Sequence, residues 1–184
     1  MSHEHSPVVE TASVDANGNV TQTTAAITTH ILYDALGNVV SRTEGHGTSQ
    51  ARTTDYVYDA LGRQVETRHP DVAVYDSIAD AAADYDSADR NSFETTQTLA
   101  STTTFDAFGN AVVGRDVGGA YSYKAYDLIG WLTYEVDAEG FVTQYEYDAY
   151  GSVVNLTRHA QRLDLTGHTP GTALSLSDIQ ARLT

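Results

Sequence analysis

The groups in this 184-residue chain that could do chemistry are carboxylates, phenols and imidazoles: Asp and Glu total 25, Tyr 12 and His 7. Cysteine is absent, which removes thiolate nucleophiles, thiolate metal ligands and disulfides. Paired carboxylates can serve as the acid and base of glycoside hydrolysis, and clustered ones can hold Ca²⁺. The closest approach to a metal cluster is Asp84-x-Asp86-x-x-Asp89. It lacks the glycine and the closing Glu of an EF-hand loop, so a solvated acidic loop is the first reading and a calcium site the second. His3 and His5 form a short pair in a terminal stretch, and His30, His46, His69, His159 and His168 show no ligand spacing. There is no Gly-x-Ser-x-Gly elbow, P-loop or Gly-x-Gly-x-x-Gly. No catalytic residue, cofactor-binding residue or cofactor is assigned, and the chain reads as a non-enzyme.

The aspartates have a more economical explanation in the elements that carry them. Asp-x-x-Gly recurs at 15–18, 34–37, 59–62, 106–109, 127–130, 137–140 and 148–151. An aromatic precedes five of these: Tyr33 before Asp34, Tyr58 before Asp59, Phe105 before Asp106, Tyr126 before Asp127 and Tyr147 before Asp148. Val14 and Val136 stand there before Asp15 and Asp137. The period is roughly 20 residues with a half-step of about 10, the size of a strand, a tight turn and a strand. Asp at the first position of a type I turn accepts backbone N–H groups, and glycine at the fourth supplies positive φ. That pair closes a hairpin with a bulge. Gly37, Gly62, Gly109, Gly130, Gly140 and Gly151 are therefore expected at hairpin ends.

The flanks alternate as strands do. Phe141, Thr143, Tyr145 and Tyr147 fall on one face, and Val142, Gln144 and Glu146 on the other. Around Tyr121–Tyr126 and Trp131–Tyr134 both faces carry large groups, so both are expected to be partly covered there. The tyrosines read first as ladder packing at a fixed repeat position. The alternative is a sugar-stacking face.

Tyr33-Asp34-Ala35-Leu36-Gly37-Asn38, Tyr58-Asp59-Ala60-Leu61-Gly62-Arg63 and Tyr147-Asp148-Ala149-Tyr150-Gly151 resemble the RHS/YD-repeat family. The resemblance covers roughly residues 12–68 and 97–160. It implies hairpins wound into a large sheet around a hollow interior, as in polymorphic toxins, insecticidal toxin complex shells and teneurins. It also implies a secreted or cell-surface bacterial setting. The implied partners are neighbouring repeats of the parent protein and an encapsulated toxin domain. The family's paired Asp-Pro-x-Gly self-cleaving segment is not found here, and the length suits an arc of wall, so a fragment of something longer is the expectation.

Two stretches depart from the repeat. Residues 70–96 hold Asp71, Asp76, Asp80, Asp84, Asp86, Asp89 and Glu94 against Arg90, with an alanine run that predicts a short helix. After Gln161, Ser177-Asp178-Ile179-Gln180 predicts a capping box with Leu176 as staple, opening a helix that covers a sheet edge. The fold class expected is all-β, an antiparallel hairpin-repeat sheet with a short helical acidic insertion and a C-terminal helix. The divisions are 1–11, a flexible N-terminus; 12–69, repeats; 70–96, acidic insertion; 97–160, repeats; and 161–184, C-terminal segment. A net charge of −15 argues against nucleic acid and anionic membrane surfaces as partners. No apolar run reaches the length for membrane insertion. The function expected is a structural wall segment, with a carbohydrate- or protein-binding module, using exposed Tyr and the acidic insertion, as the alternative.

Overall fold

The computed structural model describes residues 2–14, 17–75 and 93–183. Asp84, Asp86 and Asp89, and the helix expected in the acidic insertion, lie outside the described residues. Among the described residues the regular structure is antiparallel β-sheet with one short helix, and the chain divides into two units, residues 1–99 and 100–184.

In the first unit, β1 (Ser2–Val14), β2 (Val20–Tyr33), β3 (Val39–Glu44), β4 (Arg52–Tyr58) and β5 (Gln64–Arg68) lie side by side in chain order. β1, which takes in most of the stretch 1–11 expected to be a flexible end, pairs with β2 from Ser2↔Ile31 to Val14↔Val20. Val8, Val9, Thr11 and Val14 are β-branched and favour that extended state. The ends of the acidic insertion form a separate two-stranded ribbon, β6 (Val72–Tyr75) with β7 (Glu94–Gln97). In this unit Thr29 and Ile31 are buried.

In the second unit β8 (Ala100–Phe105), β9 (Ala111–Arg115), β10 (Tyr121–Tyr126), β11 (Leu132–Val136), β12 (Phe141–Tyr147) and β13 (Val153–Arg162) form consecutive hairpins. Here there is a core: Val113, Tyr123, Ala125, Tyr134, Val136 and Val142 from the strands, with Leu163, Leu174 and Ile179 from the C-terminal segment. Val142 stands on the face that reads as polar in β12, yet it is 1% exposed. The segment 163–183 lies across that face and removes it from water.

This segment ends in α1 (Leu176–Arg182), whose cap differs from the expected one. Ser175 is the N-cap, its hydroxyl accepting from Asp178 N–H at 3.1 Å while the Asp178 carboxylate accepts from Ser175 N–H at 3.0 Å. The reciprocal box needs a hydroxyl three residues before an acceptor, and Ser175 with Asp178 supplies it two residues earlier than Ser177 with Gln180. Leu174 and Ile179 then occupy the staple positions, both buried, and Leu176 is the first helical residue. The Arg182 guanidinium donates to Asp164 O at 2.6 Å and Thr166 O at 3.3 Å, tying the helix end to the start of the segment. α1 packs against β11, an interior strand, so it covers a face and leaves the edge strand β13 open.

Candidate functional site

The residues that sequence reasoning singles out meet in one recurring device, the aspartate turn. Asp15 lies outside the described residues; at Asp34, Leu36 N–H and Asn38 N–H both donate to Asp34 Oδ1, at 2.9 and 2.8 Å. Asp34 N–H donates to Asn38 O and Gly37 N–H to Asp34 O. The same four bonds recur at Asp59, Asp106, Asp127, Asp137 and Asp148. One carboxylate oxygen thus closes the loop twice, satisfying amides that a tight reversal would leave unpaired. Gly37, Gly62, Gly109, Gly130, Gly140 and Gly151 all take φ between 76° and 94°. Gly151 is confined further, because a Cβ there would meet Trp131 Cζ2 at 3.1 Å.

The second carboxylate oxygen is used at three turns. Asn38 and Asn110 side chains donate to Oδ2 of Asp34 and Asp106, each at 2.9 Å, and Arg63 reaches Asp59 Oδ2 at 2.7 Å. These bonds hold the carboxyls below their ordinary value. At Asp34 the Asn38 side chain dominates, and at Asp59 the Arg63 amide does. At Asp106 burial pushes upward and the bonds from Asn110 and Phe108 outweigh it. Such carboxylates are acceptors fixed in the charged form, the wrong state for a general acid.

The aromatic before each Asp has a second geometric signature. Between each of Tyr33, Tyr58, Phe105, Tyr126 and Tyr147 and the residue before it, the strand register shifts. One extra residue is thereby inserted on the outgoing strand: Val40, Val65, Val112, Thr133 and Val154. The turn at Asp137, which lacks the aromatic, has none. The next aromatic turn reaches back to this bulge. Tyr58 Oη donates to Val39 O at 2.9 Å, Tyr126 Oη to Ala111 O at 3.1 Å and Tyr147 Oη to Leu132 O at 2.8 Å. Each acceptor is the carbonyl beside a bulged residue, where the ladder is interrupted. The tyrosine is therefore a tie between successive repeats. Phe105 has no hydroxyl with which to make one. Trp131 packs on Tyr147 with centroids 5.1 Å apart and the rings tilted by 42°, adding a packing contact to the last tie.

Two turns of the same spelling stand outside the seven named from the sequence. Asp116 and Gly119 join β9 to β10, with Ala120 N–H donating to Asp116 Oδ1 at 2.9 Å. Asp164 accepts from Thr166 N–H at 2.9 Å near Gly167, which has φ 76°. Arg115 and Leu163 precede them, and the Asp-x-x-Gly spelling alone would have found both.

Carboxylates also line a cleft of about 310 Å³ on β11–β13, with Glu135, Asp137, Phe141, Thr143, Arg158 and His159 around it. Glu135 there is engaged by Tyr145 Oη at 3.2 Å and Lys124 Nζ at 3.4 Å. Burial and that bond raise the Tyr145 phenol. Asp137 closes its own turn. Neither carboxylate is free to serve as acid or base. A second cleft, about 570 Å³, mixes Arg52, Arg68 and His69 with Asp55 and Asp71. Arg68 is already bound to Glu66 at 2.9 and 3.2 Å. Among the described residues no three His, Asp or Glu side chains gather as metal ligands. No described helix is long and apolar enough to cross a membrane.

The family model described as RHS Repeat matches residues 33–71, which run from Tyr33 past the second turn. A search of curated proteins found no match. Among solved structures, the crystal structure of TcdB2-TccC3-Cdc42 aligns with 82% of this chain at 14% identity and a TM-score of 0.31. The Photorhabdus luminescens Tc holotoxin pore carrying the TccC3 D651A mutation aligns with 82% at 13% identity and a TM-score of 0.26. Crystalline TcdB2-TccC3 aligns with 82% at 13% identity and a TM-score of 0.28. This chain spans 10% of the length of each of these structures.

Proposed function

We propose, on the premise that residues 33–71 of this structural repeat chain are an RHS repeat, that the protein is a wall segment of a large, secreted or cell-surface, toxin-type repeat protein. Its partners in that role are the neighbouring repeats and a toxin domain enclosed by the wall. The observation that carries the reading is the tyrosine tie: the phenols of Tyr58, Tyr126 and Tyr147 are engaged by backbone carbonyls of the preceding repeat. The turn aspartates are engaged by backbone amides in the same way. The residues that look chemical in the sequence thus act on the chain's own backbone. A sheet built so is held rung by rung and extends by adding rungs.

A second reading, carbohydrate binding, is favoured by Tyr150, 94% exposed, and by Tyr33 and Tyr75, 44% and 42% exposed. Such rings could stack on sugar C–H faces. A glycan array, followed by a panel of oligosaccharide hydrolysis assays, separates the two. The wall reading expects no saturable binding and no turnover. Saturable binding lost in Tyr150→Ala, or measurable glycoside cleavage, overturns it.

A further inference from the structure

The two ends of the hairpins in the second unit differ in what they show to solvent. Turns at Asp106, Asp127 and Asp148 join β8 to β9, β10 to β11 and β12 to β13, so they share one end of the sheet. The third residue of each is a large apolar side chain: Phe108, 91% exposed, Ile129, 68%, and Tyr150, 94%. Leu128, beside Ile129, is fully exposed. Turns at the opposite end place Gly118 and Glu139 at the same position. The turn therefore does not require a hydrophobe there, and the row needs another explanation.

We propose that this row is a docking surface for a basic amphipathic helix. Two strands separate successive tips, so they recur about every 9.5 Å. Seven residues of α-helix advance about 10.5 Å, so apolar side chains at i, i+7 and i+14 meet three tips nearly in step. The charge fits as well. Asp106, Asp127 and Asp148 recur at the same interval, and the stretches 105–111, 126–132 and 147–153 contain no Lys or Arg. A helix with Lys or Arg flanking its apolar stripe matches that edge. A second copy of this chain, with a net charge of −15, opposes it. The tyrosine ties at Tyr126 and Tyr147 hold the tips at fixed spacing, so little order is lost on docking.

The test uses the whole chain and a labelled three-heptad peptide with Leu at i, i+7 and i+14 and Lys beside them, read by fluorescence anisotropy. Saturable binding is expected, weaker by about tenfold in the triple variant Phe108→Ser, Ile129→Ser, Tyr150→Ser. Binding should also weaken with added salt and by about tenfold when the leucines move to i, i+5 and i+10. Absence of binding, or binding indifferent to the variant and to the spacing, overturns the proposal. So does capture by phosphatidylcholine vesicles, or self-association in sedimentation, that the triple variant abolishes in place of peptide binding. If the triple variant loses its sheet signal in circular dichroism, Leu128→Lys serves instead. It should weaken binding about fivefold by repelling the lysines, and an unchanged affinity sinks the idea.

Discussion

Residues 1–99 and 100–184 use the same aspartate turns and the same tyrosine tie, yet they differ in burial. The described part of the first unit buries Thr29 and Ile31, whereas the second buries a contiguous cluster from Val112 to Ile179. The difference is the segment 163–183. Hairpins in series make a hydrogen-bonded layer, and a layer becomes a core only when a second one covers it. In the second unit Leu163, Leu174 and Ile179 supply that cover, laid on Tyr123, Tyr134, Val136 and Val142. Gly171 lies against the Tyr121 ring and His168 meets Tyr123 edge-on at 5.2 Å. The first unit leans on its ladder and on surface contacts such as Thr43 with Thr53 at 2.9 Å and Arg42 with Glu44 at 2.8 Å.

The largest expected effect tests that asymmetry. Ile179→Ala removes a fully buried side chain and should destabilise the second unit by about 3 kcal/mol, within the range for such truncations. Hydrogen exchange should show β9–β12 losing protection while β2–β5 keeps it. An equal loss in both units would break the comparison. Next come the turn glycines. Gly151→Val adds a clash with Trp131 to the left-handed penalty and should cost about 3 kcal/mol. Gly62→Val faces open space and should cost about 1–2 kcal/mol. Urea denaturation checks the order, and a larger loss at Gly62 would remove Trp131 from the account.

Smaller again is the tie. Tyr147→Phe should cost about 1 kcal/mol, the net worth of one hydrogen bond. Tyr33→Phe should cost close to nothing, since Tyr33 is 44% exposed and its hydroxyl makes no such tie among the described residues. Equal losses in a thermal melt would show that ring packing, not the hydroxyl, matters. The least expected effect is that of acid. The carboxyls of Asp34, Asp59 and Asp106 are depressed in the folded state, so their contribution is present above the ordinary value of 3.8 and fades as pH falls through the lowered one. Asp59→Asn should make the stability of the first unit less sensitive to pH below about 4, as read in an acid titration of its sheet signal. Unchanged sensitivity would mean that the Asp59 bonds are equally made when it is protonated.

Much of this was legible from residue spelling. Asp-x-x-Gly located the turns because an Asx-closed turn is a local object, made within five residues whatever surrounds it. The aromatic before Asp located one end of the tie. Its acceptor was hidden, since the Val39, Ala111 and Leu132 carbonyls lie 15 to 19 residues away and carry no sequence mark. The turn at Asp116 carries the same Asp-x-x-Gly spelling and was legible in the sequence, though it was not among the seven named. The cap of α1 was misplaced because two serines stand two residues apart, and either can begin a box.

The sequence by itself determined the strand–turn period, the sign of φ at each turn glycine and the acidic surface, all consequences of local sterics and charge. Tertiary structure decided which face is dry. Nothing in the alternation of Phe141–Tyr147 says that Val142 is buried and Glu146 is not. That depends on where the 163–183 segment crosses the sheet, and the crossing is set by long-range packing of Leu174 and Ile179 against strand residues 32 or more positions earlier. Periodicity encodes that a side chain points up or down. Only a second layer determines whether up is water or core.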